Sequence, residues 1–203
     1  LTHCESSPIV TANEALYRAQ YGENVPAHFH PLIRDEACCY ASSKMAVELA
    51  KKYQTQLHVL HLTTAKELSL FENKPLHEKH ITAEVCIHHL HFDAQDYDQL
   101  GHLIKCNPSI KTKTDRDALI KAVSSSDLLD IIGTDHAPHT WDEKQNSYFN
   151  APAGLPLVQH ALPALLELVA ADQLRIEDMV SKTSHRVADL FKIKERGYIR
   201  EGY

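Results

Sequence analysis

Apolar residues fall into two rhythms along this chain. Leu57-His58-Val59-Leu60-His61-Leu62, Ile81 to Ile87 and Leu128 to Thr134 are short aliphatic runs of strand length. In the second, Ile81, Ala83, Val85 and Ile87 alternate with Thr82, Glu84 and Cys86. Between these runs the apolar positions recur at helical spacing. Thr11 to Tyr21 predicts a helix. Asp35 to Tyr53 predicts a second, with Ala37, Tyr40, Ala41, Met45 and Leu49 in phase and Asp35 as its cap. Thr63 or Thr64 can cap a helix from Ala65 to about Glu72, and Asp93 to Leu100 reads as a short one. Thr114 to Ser124, Leu157 to Ala171, Arg175 to Thr183 and Ser184 to Phe191 complete the helical set. Asn107-Pro108-Ser109 is a loop. A longer one runs from Ala137 to about Pro156, too long to be idle in a compact domain.

This β-α-β-α order calls for a parallel sheet. Counting a stub at Leu1-Thr2-His3, about four strands are present, whereas a complete (β/α)8 barrel needs eight and roughly 250 residues. The expected fold class is therefore α/β, a partial (β/α)8 TIM-type barrel over residues 1–193. Residues 194–203 read as a turn and the start of a further strand. The first residue is Leu and no charged, apolar leader follows, so the chain reads as a piece of a larger protein.

Composition narrows the function. At 43% hydrophobic residues, 203 residues can build one substantial core. A net charge of −6 with scattered Lys and Arg argues against nucleic acid and against an anionic membrane surface. No apolar run approaches membrane-spanning length. Five cysteines without a C-x-x-C pair argue against a disulfide framework and for a reducing, cytoplasmic setting. Fifteen histidines raise the prior for metal chemistry.

The chemistry gathers where apolar runs end. Ile131-Ile132-Gly133-Thr134 runs into Asp135, His136 and His139, as a buried parallel strand does when it delivers polar groups to its C-terminal end. His61 closes the run from Leu57, and His3 closes the stub. Side chains alternate along a strand, so Leu57, Val59 and His61 should share a face while His58 points outward against a helix. Three strand ends offering nitrogen or carboxylate donors predict a metal site of the Zn²⁺ type, with His3, His61 and Asp135 as ligands. Asp135 could also serve as general base. The H-x-H of His28-Phe29-His30 has no apolar strand leading into it and reads as a loop. His88-His89-Leu90-His91 closes the Ile81 run and could touch a site or be a polar strand exit, while Cys86 and Cys106 read as buried thiols rather than ligands. The backbone at Ala153-Gly154 could approach a ligand closely.

Taken together, Thr2-His3-Cys4-Glu5, Leu57–Thr64 (LHVLHLTT), Ile81–Leu90 (ITAEVCIHHL), Cys106–Lys111 (CNPSIK) and Gly133–His139 (GTDHAPH) resemble dihydroorotase, in the cyclic amidase branch of the amidohydrolase superfamily. The likeness covers essentially the whole chain, and GTDHAPH followed by Glu143-Lys144 is its most specific part. The resemblance implies a C-terminal half-barrel, followed at 194–203 by the start of a truncated β-sandwich strand. It implies reversible cyclisation of N-carbamoyl-L-aspartate to dihydroorotate in pyrimidine synthesis. The route implied is attack of a metal-bridging hydroxide on the ring amide.

By position, His3 and His61 would ligate one metal of a binuclear Zn²⁺ site, and Asp135 the other while acting as general base and acid. Asn107, His139, Ala153 and Gly154 would hold the substrate's carboxylate and ring. The family's first-strand H-x-H pair, the arginine after it and the bridging lysine or aspartate are absent, so these residues alone are expected to be inactive. Where many members read Asn-Pro-Pro-Leu-Arg, this chain has Asn107-Pro108-Ser109-Ile110-Lys111. The expected partner is a small-molecule substrate, with a homodimer as an admissible assembly. Two other functions compete. A hydantoinase or allantoinase would share barrel and metals but place something else at His139. A non-catalytic, partner-binding relative would have no reason to keep His3, His61, Asn107, Asp135 and His139 together.

Overall fold

The computed structural model describes residues 1–124 and 126–203. Three strands, β1 (Leu57–Val59), β2 (Ile81–Cys86) and β3 (Ile131–Gly133), form a parallel sheet in the order β1-β2-β3. Val59 lies opposite Ala83, and Val85 opposite Ile132. The expected fourth strand is a single parallel bridge, Thr2 to Val59, on the outer side of β1. A second bridge, His136 to Leu155, continues the sheet's direction past β3. The helices are α1 (Ser7–Tyr21), α2 (His30–Ile33), α3 (Glu36–Tyr53), α4 (Ile87–His91), α5 (Tyr97–Leu100), α6 (Lys113–Ser124), α7 (Trp141–Lys144), α8 (Ala161–Ala170), α9 (Ile176–Val180) and α10 (Arg186–Leu190). No described helix is long and apolar enough to cross a membrane.

One face of the sheet is apolar and covered by helices. Val59, Ala83, Val85 and Ile132 pack there with Val47 of α3, Leu119 and Val123 of α6 and Leu165 of α8. The other face is polar. His58 turns to it rather than outward against the covering helices, and its Nδ1 lies 2.8 Å from Thr82 Oγ1 and its Nε2 3.3 Å from Glu84 Oε2. Its ring also meets Phe191, just past α10. In a barrel wall the helix-covered side must be the apolar one, so Leu57 and Val59 face the helices and His58 the interior. His61 reaches the interior by a different route, described below.

Several predicted bounds shift for local reasons. Asp35 caps α3 as expected, its Oδ1 accepting from the Cys38 amide at 2.8 Å. Thr64 and Glu67 satisfy one another, but only a 3-10 turn (Glu67–Leu70) follows rather than a full helix. α8 starts at Ala161, not Leu157; ahead of it the Leu157 and Val158 amides donate to His136 Nδ1 at 2.9 and 3.0 Å. The last two predicted helices form one continuous run, joined by a π-turn over Ser181–His185. Residues 194–203 contain turns and bends.

The N-terminal ends of the strands are fastened by buried amines. Lys79 and Asp130 make an ion pair at 2.8 Å, with side chains 1% and 0% exposed. The second Asp130 oxygen accepts from the Ala83 amide at 2.9 Å. Lys182 donates to the Ser126 and Leu129 carbonyls, each at 2.7 Å.

Candidate metal and substrate site

The predicted ligands all leave the C-terminal ends of parallel segments, with β2 lying between those that carry His61 and Asp135. Thr2 donates to the His58 carbonyl and accepts from the Leu60 amide, which sets His3 beside the end of β1. After Val59 the backbone breaks its alternation. His61 takes a left-handed φ of 38°, and the Leu62 amide then donates to the Glu84 carbonyl at 2.8 Å. This turn swings the His61 ring to His3, whose Nδ1 stands 2.9 Å from His61 Nε2, with the rings edge to face.

The other nitrogen of His3 is held by Glu5, Nε2 to Oε2 at 2.9 Å. Arg34 binds the same Glu5 oxygen at 2.5 Å. Burial alone would raise the Glu5 carboxyl, but the His3 hydrogen bond and the Arg34 charge outweigh it and hold the group below its ordinary value. A carboxylate on the far nitrogen of a ligating imidazole is a common device for fixing its orientation. Burial, reinforced by His3, lowers the His61 pKa and keeps that ring neutral. Its Nδ1 is buried with no hydrogen-bond partner among the described residues.

Asp135 follows β3 in a left-handed conformation, φ 46°, which Asp tolerates better than most residues. It is exposed and accepts no hydrogen bond from a described residue. Its charge opposes the burial effect at His61. His3 and His61 are thus in contact while Asp135 stands off. The three do not close into a cluster with all donor atoms within 4.8 Å of one another. Two facing imidazole nitrogens suit a Zn²⁺-type ion, whose N ligands at about 2.0–2.1 Å would sit roughly 3.3 Å apart in a tetrahedron.

The substrate candidates lie on two loops at this rim. Asn107 is half-buried, and its Oδ1 is shielded from solvent with no hydrogen-bond partner among the described residues. Next to it, the Cys106 carbonyl accepts from His30 Nε2 at 2.7 Å, and the Tyr148 hydroxyl lies 2.7 Å from His30 Nδ1. His30 is thus a buried strut rather than half of a chelate, while His28 lies at the surface with its Nδ1 3.5 Å from Asp98 Oδ1. On the second loop His139 Nε2 lies 3.2 Å from the Ala153 carbonyl. Gly154 adopts φ +140°, and a Cβ there would fall 2.5 Å from the Ala137 carbonyl oxygen and 3.2 Å from His139 Nε2. His139, Ala153 and Gly154 are therefore in one packed unit.

Two buried lysines hold that loop. Lys105 donates to the carbonyls of Tyr148 and Ala151, and Lys144 to those of Lys105 and Pro152. Burial lowers both amines to about 8. Sequence reasoning gave no role to Glu5, Arg34, Lys105 or Lys144. The H-x-E spacing of His3 and Glu5 was the available signal for the first; the others act through contacts distant in the chain.

No family model matches the chain. In sequence it is 31% identical over 201 residues to a dihydroorotase from Methanosphaera stadtmanae, a match covering 99% of this chain and 46% of that protein. The chain spans about half the length of the curated relatives it matches. In structure it superposes on an L-hydantoinase (dihydropyrimidinase) from Arthrobacter aurescens with a TM-score of 0.87 at 20% identity, covering 98% of this chain and 45% of the other. A Saccharomyces cerevisiae dihydroorotase solved with 5-fluoroorotic acid gives 0.70 at 21% identity, over 78% and 44%.

Proposed function

We propose, from the premise that this chain carries the second half of a dihydroorotase-like amidohydrolase barrel, that its parent protein interconverts N-carbamoyl-L-aspartate and dihydroorotate. The observation supporting this most is the facing pair His3 Nδ1 and His61 Nε2, 2.9 Å apart at the same sheet end that carries Asp135. His3 and His61 would hold one divalent ion, Zn²⁺ by donor type, and Asp135 would serve a second. Such ions supply Lewis acidity and a nucleophilic water near neutral pH.

The chain's own residues do the rest. Asp135, exposed and uncommitted, takes the proton from the attacking water and returns it to the ring nitrogen as the amide C–N bond breaks. Glu5 and Arg34 keep the His3 ring in place. Asn107 presents its unpaired oxygen to a substrate N–H, and His139 with the backbone at Ala153-Gly154 faces the carboxylate and ring. Two imidazoles and one carboxylate are fewer donors than a tight binuclear site uses, so full activity needs the half-barrel that this chain does not contain.

The hydantoinase reading is favoured by the better superposition, but at 20% identity that likeness speaks for the fold alone. Ring opening of dihydroorotate and of hydantoin by the parent protein distinguishes the two. Turnover of dihydroorotate is expected, with Asp135→Asn lowering the rate by about 10²–10⁴-fold. Turnover of hydantoin alone would transfer the assignment to the sister activity.

A further inference from the structure

A second group of ligating side chains lies apart from the His3–His61 pair. α4 starts directly on the end of β2, and its first turn sends His88 and His89 beneath the loop that carries Asn107. His89 Nε2 lies 3.9 Å from Cys106 Sγ and 3.1 Å from the Pro108 carbonyl oxygen, which is 3.2 Å from the same sulfur. One donor atom each from His88, His89 and Cys106 fall within 4.8 Å of one another. All three residues are buried, at 1%, 3% and 1% exposure.

The histidines are underused by the fold. Both ring nitrogens of His88, and Nδ1 of His89, have no hydrogen-bond partner among the described residues. Leaving such groups buried and unpaired costs stability, so a native protein normally gives them something to bind. We propose that His88, His89 and Cys106 bind a zinc-type divalent ion, with the Pro108 carbonyl as fourth donor.

The spacing suits such an ion. Zn–N near 2.0–2.1 Å and Zn–S near 2.3 Å place tetrahedral neighbours about 3.3–3.6 Å apart, against 3.1, 3.2 and 3.9 Å here. One thiolate with two imidazoles selects zinc over magnesium or calcium. His88 also borders a cavity of about 390 Å³ shared with His91, Phe92, Leu157 and His160, which offers the ion a way in. Burial pushes the Cys106 thiol up to about 12, so in the metal-free protein it carries its proton. Binding releases that proton to solvent, while the His89 proton moves from Nε2 to Nδ1. The ion would tie α4 to the Cys106–Pro108 segment and so steady Asn107. Nothing in this inference depends on the dihydroorotase reading.

Cobalt titration of the metal-stripped parent protein tests it without an activity assay. The near-ultraviolet thiolate-to-cobalt band is expected, because the His3–His61–Asp135 set contains no sulfur. It should vanish in Cys106→Ser and persist in the His3→Ala/His61→Ala double variant and in Cys4→Ser. No band in the folded wild type overturns the proposal. So does a band that survives Cys106→Ser, or one lost with His3 and His61 or with Cys4. If Cys106→Ser does not fold, His88→Gln decides. A loss of cobalt affinity of at least about tenfold supports the site, and unchanged affinity overturns it.

Discussion

His30 shows how one side chain outside the chemistry can govern the site. A carbonyl only accepts, so the Cys106 contact fixes the proton on Nε2 and leaves Nδ1 to accept from the Tyr148 hydroxyl. Burial holds the ring neutral, with a pKa well below 6.5, against the opposing pull of the Cys106 carbonyl. The unfolded chain binds a proton near pH 6.5 that the folded one refuses. The His30 contribution is therefore complete above that pH and declines below it, by about 1.4 kcal/mol per pH unit. Urea unfolding at pH 7.5 and 5.0 should show this loss, and His30→Phe should reduce it by the His30 share while the buried His61, His88 and His89 keep theirs. That variant should also be less stable at pH 7.5 by about 1–3 kcal/mol, since it strands the Cys106 carbonyl and the Tyr148 hydroxyl. Gly154 makes a second test. Alanine there must move the Ala137 backbone or its own, at a cost of about 1–3 kcal/mol, and His139 moves with it. On the proposed function, a raised KM for dihydroorotate, with kcat changed less, is the expected kinetic result.

At the scale of elements, legibility followed how local the cause was. α3 was readable almost to the residue because its period and its Asp35 cap both lie within it. Asp35→Ala should cost about 1 kcal/mol in thermal or denaturant unfolding, and Asp35→Asn much less. The start of α8 was not readable, because the segment before it is held by an imidazole more than twenty residues upstream, which takes the Leu157 and Val158 amides. Alternation assigned His58 and His61 to faces by counting. It misplaced His58, since the rule does not say which face the helices cover, and the left-handed turn at His61 put that ring toward His3 independently of the count. The strand ends bearing His3, His61 and Asp135 were visible as apolar runs stopping at polar residues. The Glu5–Arg34 support was not, because it joins residues on separate elements.

For the whole molecule, the chain order of strands and helices predicted a parallel half-barrel, and the fold agrees. What composition could not reveal is the buried fastening between β2 and β3. Asp130→Ala would leave the Lys79 charge buried without its partner, and a loss of about 3–5 kcal/mol is expected in denaturant unfolding. Lys79→Met/Asp130→Leu should recover much of that loss, because removing both charges ends the desolvation cost. This fastening sits at the opposite end of the sheet from His3, His61 and Asp135. Replacing the exposed Asp135 side chain should therefore leave untouched the groups that keep the sheet folded, and such variants should stay soluble, whereas variants from equally dense mutagenesis around Asp130 should not.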